Sequence, residues 1–173
     1  MAVAPQGGVR VWGGSDPIGA AELVMRRFGL KTQLVGVTRP EEAILNARSP
    51  GAVSAAALDG ANPWWARLVA ERQVQAFDLL QSGGAPVLCL GSVELEPSGA
   101  DMTLWTTDAS LSAAAIEAQL SRIGFAAELL HAAAGLKLFG LAGYVQRHDA
   151  RLAQAPGRLA GVVGVTPSPY HQT

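Results

Sequence analysis

The residues best suited to chemistry gather in one turn, Gly13-Gly14-Ser15-Asp16, between the apolar run Val9–Trp12 and a helical stretch that opens at Pro17. N–H groups at a helix start lack intrahelical partners, and the helix dipole adds partial positive charge, so a glycine turn there favours an anion. Gly14, Ser15 and Asp16 are therefore candidate ligand-binding residues. Two sharper phosphate motifs fail on the letters. Gly14 and Gly19 have the spacing of P-loop glycines, but Ala20 and Ala21 stand where that loop needs Lys and then Ser or Thr. Gly13, Gly14 and Gly19 also miss the G-x-G-x-x-G spacing of a dinucleotide site. Asp16, Asp59, Asp101 and His148 are acid–base candidates, but nothing in their spacing pairs them. His131, His148 and His171 are far apart and Cys89 is the single cysteine, so no local metal-ligand motif exists and no metal or cofactor is expected. Cys89 sits inside an apolar run and reads as a small buried hydrophobe rather than a nucleophile.

The turn needs a strand and a helix to hold it. Asp16 can cap that helix, Pro17 suits its first turn and Gly29 stops it. Ile18, Ala21, Met25 and Phe28 recur at helical spacing as one apolar stripe, with Glu22, Arg26 and Arg27 falling off it. A second strand is expected over 31–37. Thr38 and Glu41 then have the spacing of a capping box, opening a helix whose Ala43, Ile44 and Ala47 face the core. A third strand of small residues follows at 52–58. Strands and helices in this order with short connections argue for a parallel βαβαβ sheet with right-handed crossovers.

Residues 64–72 read as a short helix with Trp65, Leu68 and Val69 on one face. Trp64 and Trp65 cannot both use that face, so one indole is a candidate interface residue, covering a groove, a partner or the neighbouring lobe; plain packing is the simpler reading. Strands are expected at 74–80 and 86–93. The turn-rich stretch 96–101 then opens a compact order: strand 102–106, helix 110–123, strands 125–132 and 136–145, a short helix 148–154, a strand 159–165 and a Pro-rich tail at 166–170. The domains are thus expected at 8–94 and 95–173.

The chain's 173 residues are 49% hydrophobic, enough for an ordinary soluble core, and carry a net charge of −1. That balance gives no general attraction for nucleic acid or anionic lipid. No apolar stretch approaches the ~20 residues of a membrane span, and the first residues lack the basic start and apolar core of a signal peptide. The expected location is the cytoplasm, with neither nucleic acid nor membrane as partner.

A resemblance adds to this reading. Pro97-Ser98-Gly99 followed by Asp101 and Thr103 resembles the Pro-Thr/Ser-Gly-x-Asp-x-Thr that opens the ACT regulatory module of prephenate dehydratases. Gly143-Tyr144, His148-Asp149 and Val162-Val163-Gly164 ahead of Pro167 are similar to that module's closing run. In the first half, the stretch from Gly14 to Phe28-Gly29 looks like the opening of the dehydratase domain, and residues 38–58 and 87–91 look like later parts of its first lobe. The pattern, with its Trp64-Trp65, is also similar to the region after the helical domain of some bacterial chorismate mutases. The fold this implies is α/β: a βαβαβ lobe like half of a periplasmic binding protein, then an α+β ferredoxin-like ACT module.

The departures shape the functional expectation. The family's catalytic Thr-Arg-Phe falls on Ala85-Pro86-Val87, its opening hydroxyls on Ile18 and Ala20, and its Glu-Asn-Ser near Asp59-Gly60. Between Asp59 and Gly83 there is too little chain for the family's second lobe. The ACT module's phenylalanine-binding motifs fall near Leu111-Ser112-Ala113 and on residues 131–134, so Ser110, Leu111 and His131 are candidate ligand contacts, beside Asp59 in the first half. The resemblance thus implies a catalytically inactive module of phenylalanine biosynthesis that binds a small aromatic effector or substrate, phenylalanine or prephenate. It also implies a homodimer formed through the ACT-like half, and a chorismate mutase domain as a possible partner. The alternatives are an enzyme of the chorismate or prephenate branch with altered catalytic residues, and a pure homo-oligomerisation module.

Overall fold

A computed structural model of the chain describes residues 5 and 7–168; Tyr170 and His171 lie outside the described residues. The fold is mixed α/β, with nine strands and three α-helices among the described residues. It divides into two compact units. Described residues up to Gly60, with Arg72–Glu94, form the first; Ala61–Glu71 and the described residues from Leu95 onward form the second.

In the first unit, β1 (Val9–Trp12), β2 (Leu34–Gly36) and β3 (Val53–Ala57) are parallel, with Val9 opposite both Leu34 and Val53. Helices α1 (Pro17–Phe28) and α2 (Pro40–Ala47) make the two crossovers, as the alternating pattern requires. The sheet continues through β5 (Val87–Gly91) to β4 (Gln75–Leu80), in the order β2-β1-β3-β5-β4, and β5 runs against both its neighbours. All five residues of β3 and all five of β5 are buried. Small and apolar side chains without alternation fit strands covered on both faces.

The face of α1 that packs differs from the apolar stripe expected from its sequence. Ala20, Leu23 and Val24 are buried, whereas Ile18 is 75% exposed. Two helical stripes coexist in this sequence, and the one containing Ala20, Leu23 and Val24 also carries Arg27 on the same side. Arg27 donates through Nε to Asp78 on β4, whose other carboxylate oxygen accepts the Leu79 N–H at 2.9 Å. Packing on this face therefore satisfies a buried carboxylate, which the alternative stripe cannot do. The capping box also departs from expectation: the N-cap of α2 is Arg39, with Pro40 in the first turn. Thr38 sits one residue too early and gives its hydroxyl to Glu42 at 3.2 Å. The expected core residues Ala43, Ile44 and Ala47 are buried. Asn46 ties α2 to the sheet, donating to Val53 O and Ser54 Oγ and accepting from Arg10 Nε.

In the second unit, β6 (Asp101–Thr107), α3 (Ala113–Arg122), β7 (Ala127–Ala133), β8 (Leu136–Ala142) and β9 (Ala160–Pro167) make an antiparallel sheet in the order β9-β6-β8-β7. The crossover from β6 through α3 to β7 leaves a gap that β8 fills, a split β-α-β arrangement. One 3-10 turn, Ala150–Gln154, stands where a second crossover helix was expected. Trp105, Ile116, Leu120, Phe125, Phe139, Leu141 and Val162 form the core beneath α3.

A second 3-10 turn, Trp64–Val69, belongs to the same unit. Thr106 follows Trp105 on β6 and so points to the other side of the sheet, where Trp65 Nε1 donates to its hydroxyl at 3.1 Å. Trp64 and Trp65 are 1% and 0% exposed and meet edge-to-face at 6.4 Å. A 3-10 turn brings successive side chains about 120° apart, so each indole reaches its own apolar environment. Plain packing accounts for both, and neither offers an open surface.

Replacing Arg27 by Met removes the partner of buried Asp78. A fully buried pair broken in this way costs about 3–5 kcal/mol, and the partial exposure of Arg27 (28%) lowers the expected loss to about 2 kcal/mol in urea denaturation.

Candidate functional site

The turn after β1 is built as an anion cradle. Asp16 caps α1, its Oδ1 accepting the Gly19 N–H at 3.0 Å. Gly14 has φ +60, a left-handed conformation that favours glycine, and a Cβ there would also run into the side chain of Asp59. Asp59, two residues past β3, turns its carboxylate into the cradle and accepts the Ser15 N–H. The structure thus brings Gly14, Ser15, Asp16 and Asp59 together, four of the residues expected from sequence, and gives the cradle an anion from within the chain. Two carboxylates at one helix start oppose the entry of a third.

The space beside them is small. The pocket bounded by Gly13, Asp16, Gly19, Ala57, Ser82 and Gly84 holds about 10 Å³, room for one water, where metabolite sites typically offer ~300 Å³ or more. Ala85 lines the same pocket and brings no functional group. Pro86 contributes its backbone alone, its carbonyl accepting the Leu58 N–H at 2.7 Å. Cys89 is fully buried on β5, and burial together with the Asp78 carboxylate pushes its thiol far above the ordinary thiol range, so it stays protonated and inert.

Of the other acid–base candidates, His148 is exposed and Asp101 has a structural duty. Asp101 accepts Ser98 N at 2.7 Å, Ser98 Oγ at 2.5 Å and Gly99 N at 3.3 Å, folding the turn that leads into β6. Thr103 gives its hydroxyl to Gly143 O at 2.7 Å and accepts Val145 N at 2.9 Å. The Pro-Ser-Gly-x-Asp-x-Thr stretch is therefore a mechanical lock. Beside His148, Asp149 caps the 3-10 turn through Arg151 N and takes both Arg151 Nε and Nη2, which holds its carboxyl down at about 2.

Ser110 and Leu111 are exposed and line an open depression of about 450 Å³ with Asp108, Gly157 and Arg158. His131 is not among the residues lining it; its ring lies edge-on to Trp65 at 5.1 Å. The positions expected to share an effector are thus divided between two places.

Sequence reasoning missed a further cavity, of about 260 Å³, lined by Met102, Ala126, Ala127, Gly140 and Ala142 together with Asp101 and Glu128. The signal was present in strand alternation. Gly140 and Ala142 are small residues on one face of β8, and a Cβ on Gly140 would strike the Met102 side chain that lies against it. Among the described residues no group of three or more His, Cys, Asp or Glu side chains is placed to hold a metal ion, and no helix is long and apolar enough to cross a membrane.

Asp59→Ala leaves the Ser15 N–H without its carboxylate and is expected to cost about 1 kcal/mol in urea denaturation, since the site is partly open to water. For Asp149 the sign follows from a depressed value: its stabilising contribution is complete above the ordinary 3.8 and disappears as pH falls through about 2. Arg151→Ala is expected to return the Asp149 carboxyl midpoint toward 3.8, read by NMR titration of the side-chain carbon. Comparison with protein-family models, with curated proteins and with solved structures yields no match to this chain.

Proposed function

We propose that the chain is a non-catalytic, effector-binding module of the prephenate dehydratase kind, whose first unit keeps a βαβαβ lobe without its chemistry and whose second is an ACT-like module. The observation that carries this reading is the contrast between the two units. The cradle of the first is filled by Asp59, with Ala85 and Pro86 where the dehydratase resemblance calls for a hydroxyl and a guanidinium. The second contains a cavity of about 260 Å³ with apolar walls. Losing a single catalytic hydrogen-bond donor costs on the order of 10²–10³ in rate, and here the whole set is absent. Support for the two-part fold comes from the strand orders β2-β1-β3-β5-β4 and β9-β6-β8-β7, which fit half of a periplasmic-binding-protein-like lobe and a ferredoxin-like plait.

The cavity's chemistry narrows the effector. A benzyl or indole ring matches the apolar walls, and an ammonium group matches the negative charge of Glu128, which lines the same cavity. An aromatic amino acid carries both; prephenate, a dicarboxylate without an ammonium, meets repulsion from the same charge. Thermal-shift titration is expected to show stabilisation by phenylalanine, tyrosine or tryptophan and by phenylethylamine. At a hundred times the dissociation constant this amounts to about 2.7 kcal/mol. Prephenate and chorismate are expected to give no shift and no turnover. Ala142→Phe, which fills the cavity from its outer edge, is expected to abolish the shift. Turnover of prephenate by the purified chain, or a shift with prephenate alone, would overturn the reading.

A further inference from the structure

We infer that the outward face of α1 is a docking surface for a second copy of this chain, the two helices packing antiparallel about a two-fold axis level with Val24. The buried face of α1 holds Ala20, Leu23 and Val24, so at about 100° per residue the opposite face carries Ile18, Glu22, Met25 and Arg26. Ile18 is 75% exposed in the first turn, and Leu30, one residue past the terminal Gly29, is 85% exposed. These are the two most exposed large hydrophobic side chains among the described residues. Glu22 and Arg26 stand i,i+4 between them, and among the described residues neither has an ion partner in its own chain.

The pattern is self-complementary. Within the helix an antiparallel two-fold level with Val24 relates position i to position 48 − i, so Glu22 of one copy comes level with Arg26 of the other. Two opposite-charge pairs form at once, as an isologous interface requires, with an exposed Ile18 at each end. The two Met25 side chains lie about 3 Å apart along the axis, from two residue rises of ~1.5 Å, and adapt to fill the centre. A parallel pairing about the same face would set Glu22 against Glu22 and Arg26 against Arg26. The exposed edge of the second unit is less suited to self-pairing. On β7 the Leu129 N–H is already taken by Glu117 Oε1 at 3.2 Å, which removes a donor that an added strand needs.

Sedimentation velocity on the full chain across the micromolar range tests this, together with the charge-reversed variants. The expected result is a reversible dimer that Arg26→Glu, or Glu22→Arg alone, weakens about tenfold or more, since two attractive pairs become repulsive. The double variant Glu22→Arg with Arg26→Glu is expected to restore it, because the exchanged charges still meet their opposites across the axis. The three positions tested lie on the outward face of α1, none of them in the core, so circular dichroism should be unchanged throughout. Met25→Cys supplies a second reading: mild oxidation should link the two copies covalently, while Cys89, being buried, does not react. A monomer at every concentration, or a dimer indifferent to single charge reversal, would overturn the proposal. So would a double variant no better than the single ones.

Discussion

A carboxylate that stays inside the chain decides what the first unit can do. Asp59 leaves the end of β3 and accepts the Ser15 N–H, at a turn whose Gly14 conformation leaves no room for a side chain beside it. The unpaired N–H groups at the head of α1 are the feature that makes such a turn attractive to anions in many proteins. Here Asp16 and Asp59 meet that demand from within. The space between the α1 turn and the loop after β4 has the size of one water. Two resident carboxylates at this turn disfavour a third anion.

The surrounding elements hold this arrangement by satisfying buried polar groups in pairs. Arg27 at the far end of α1 reaches Asp78 on β4, which fixes the helix over the sheet from the other end. Asn46 does similar work for α2, bridging to β1 and β3. In the second unit Thr103 uses both its donor and its acceptor to fasten the chain after β8, and Tyr144 donates to Leu95 O at 2.9 Å. Each of these side chains has a hydrogen-bond partner within the fold.

How much of this was legible in the sequence depended on whether the signal was local. The cap at Asp16, the stop at Gly29 and the buried Cys89 were readable because a few adjacent letters determine them. The parallel βαβαβ order was readable because short connections leave few topologies. The buried stripe of α1 was misread because two apolar stripes coexist, and Asp78, 51 residues after Arg27, selects between them. Thr38 failed as a cap because Pro40 sets the first turn one position later. The association of Ala61–Glu71 with the second unit, the place of β5 between β3 and β4, and the cavity beside Met102 all depend on contacts between distant strands. Gly140 and Ala142 carry that last signal only when β6 and β8 are known to be neighbours.

The central claim is that the α1 cradle holds its own anion and accepts no other. Amide NMR of the chain during addition of prephenate, and separately of acetate, reads that site directly. The account predicts that the N–H resonances of Gly14, Ser15 and Gly19 stay in place in the native chain and move on addition of either anion only when Asp59 is replaced by Gly. Saturable movement of those resonances in the native chain would contradict it.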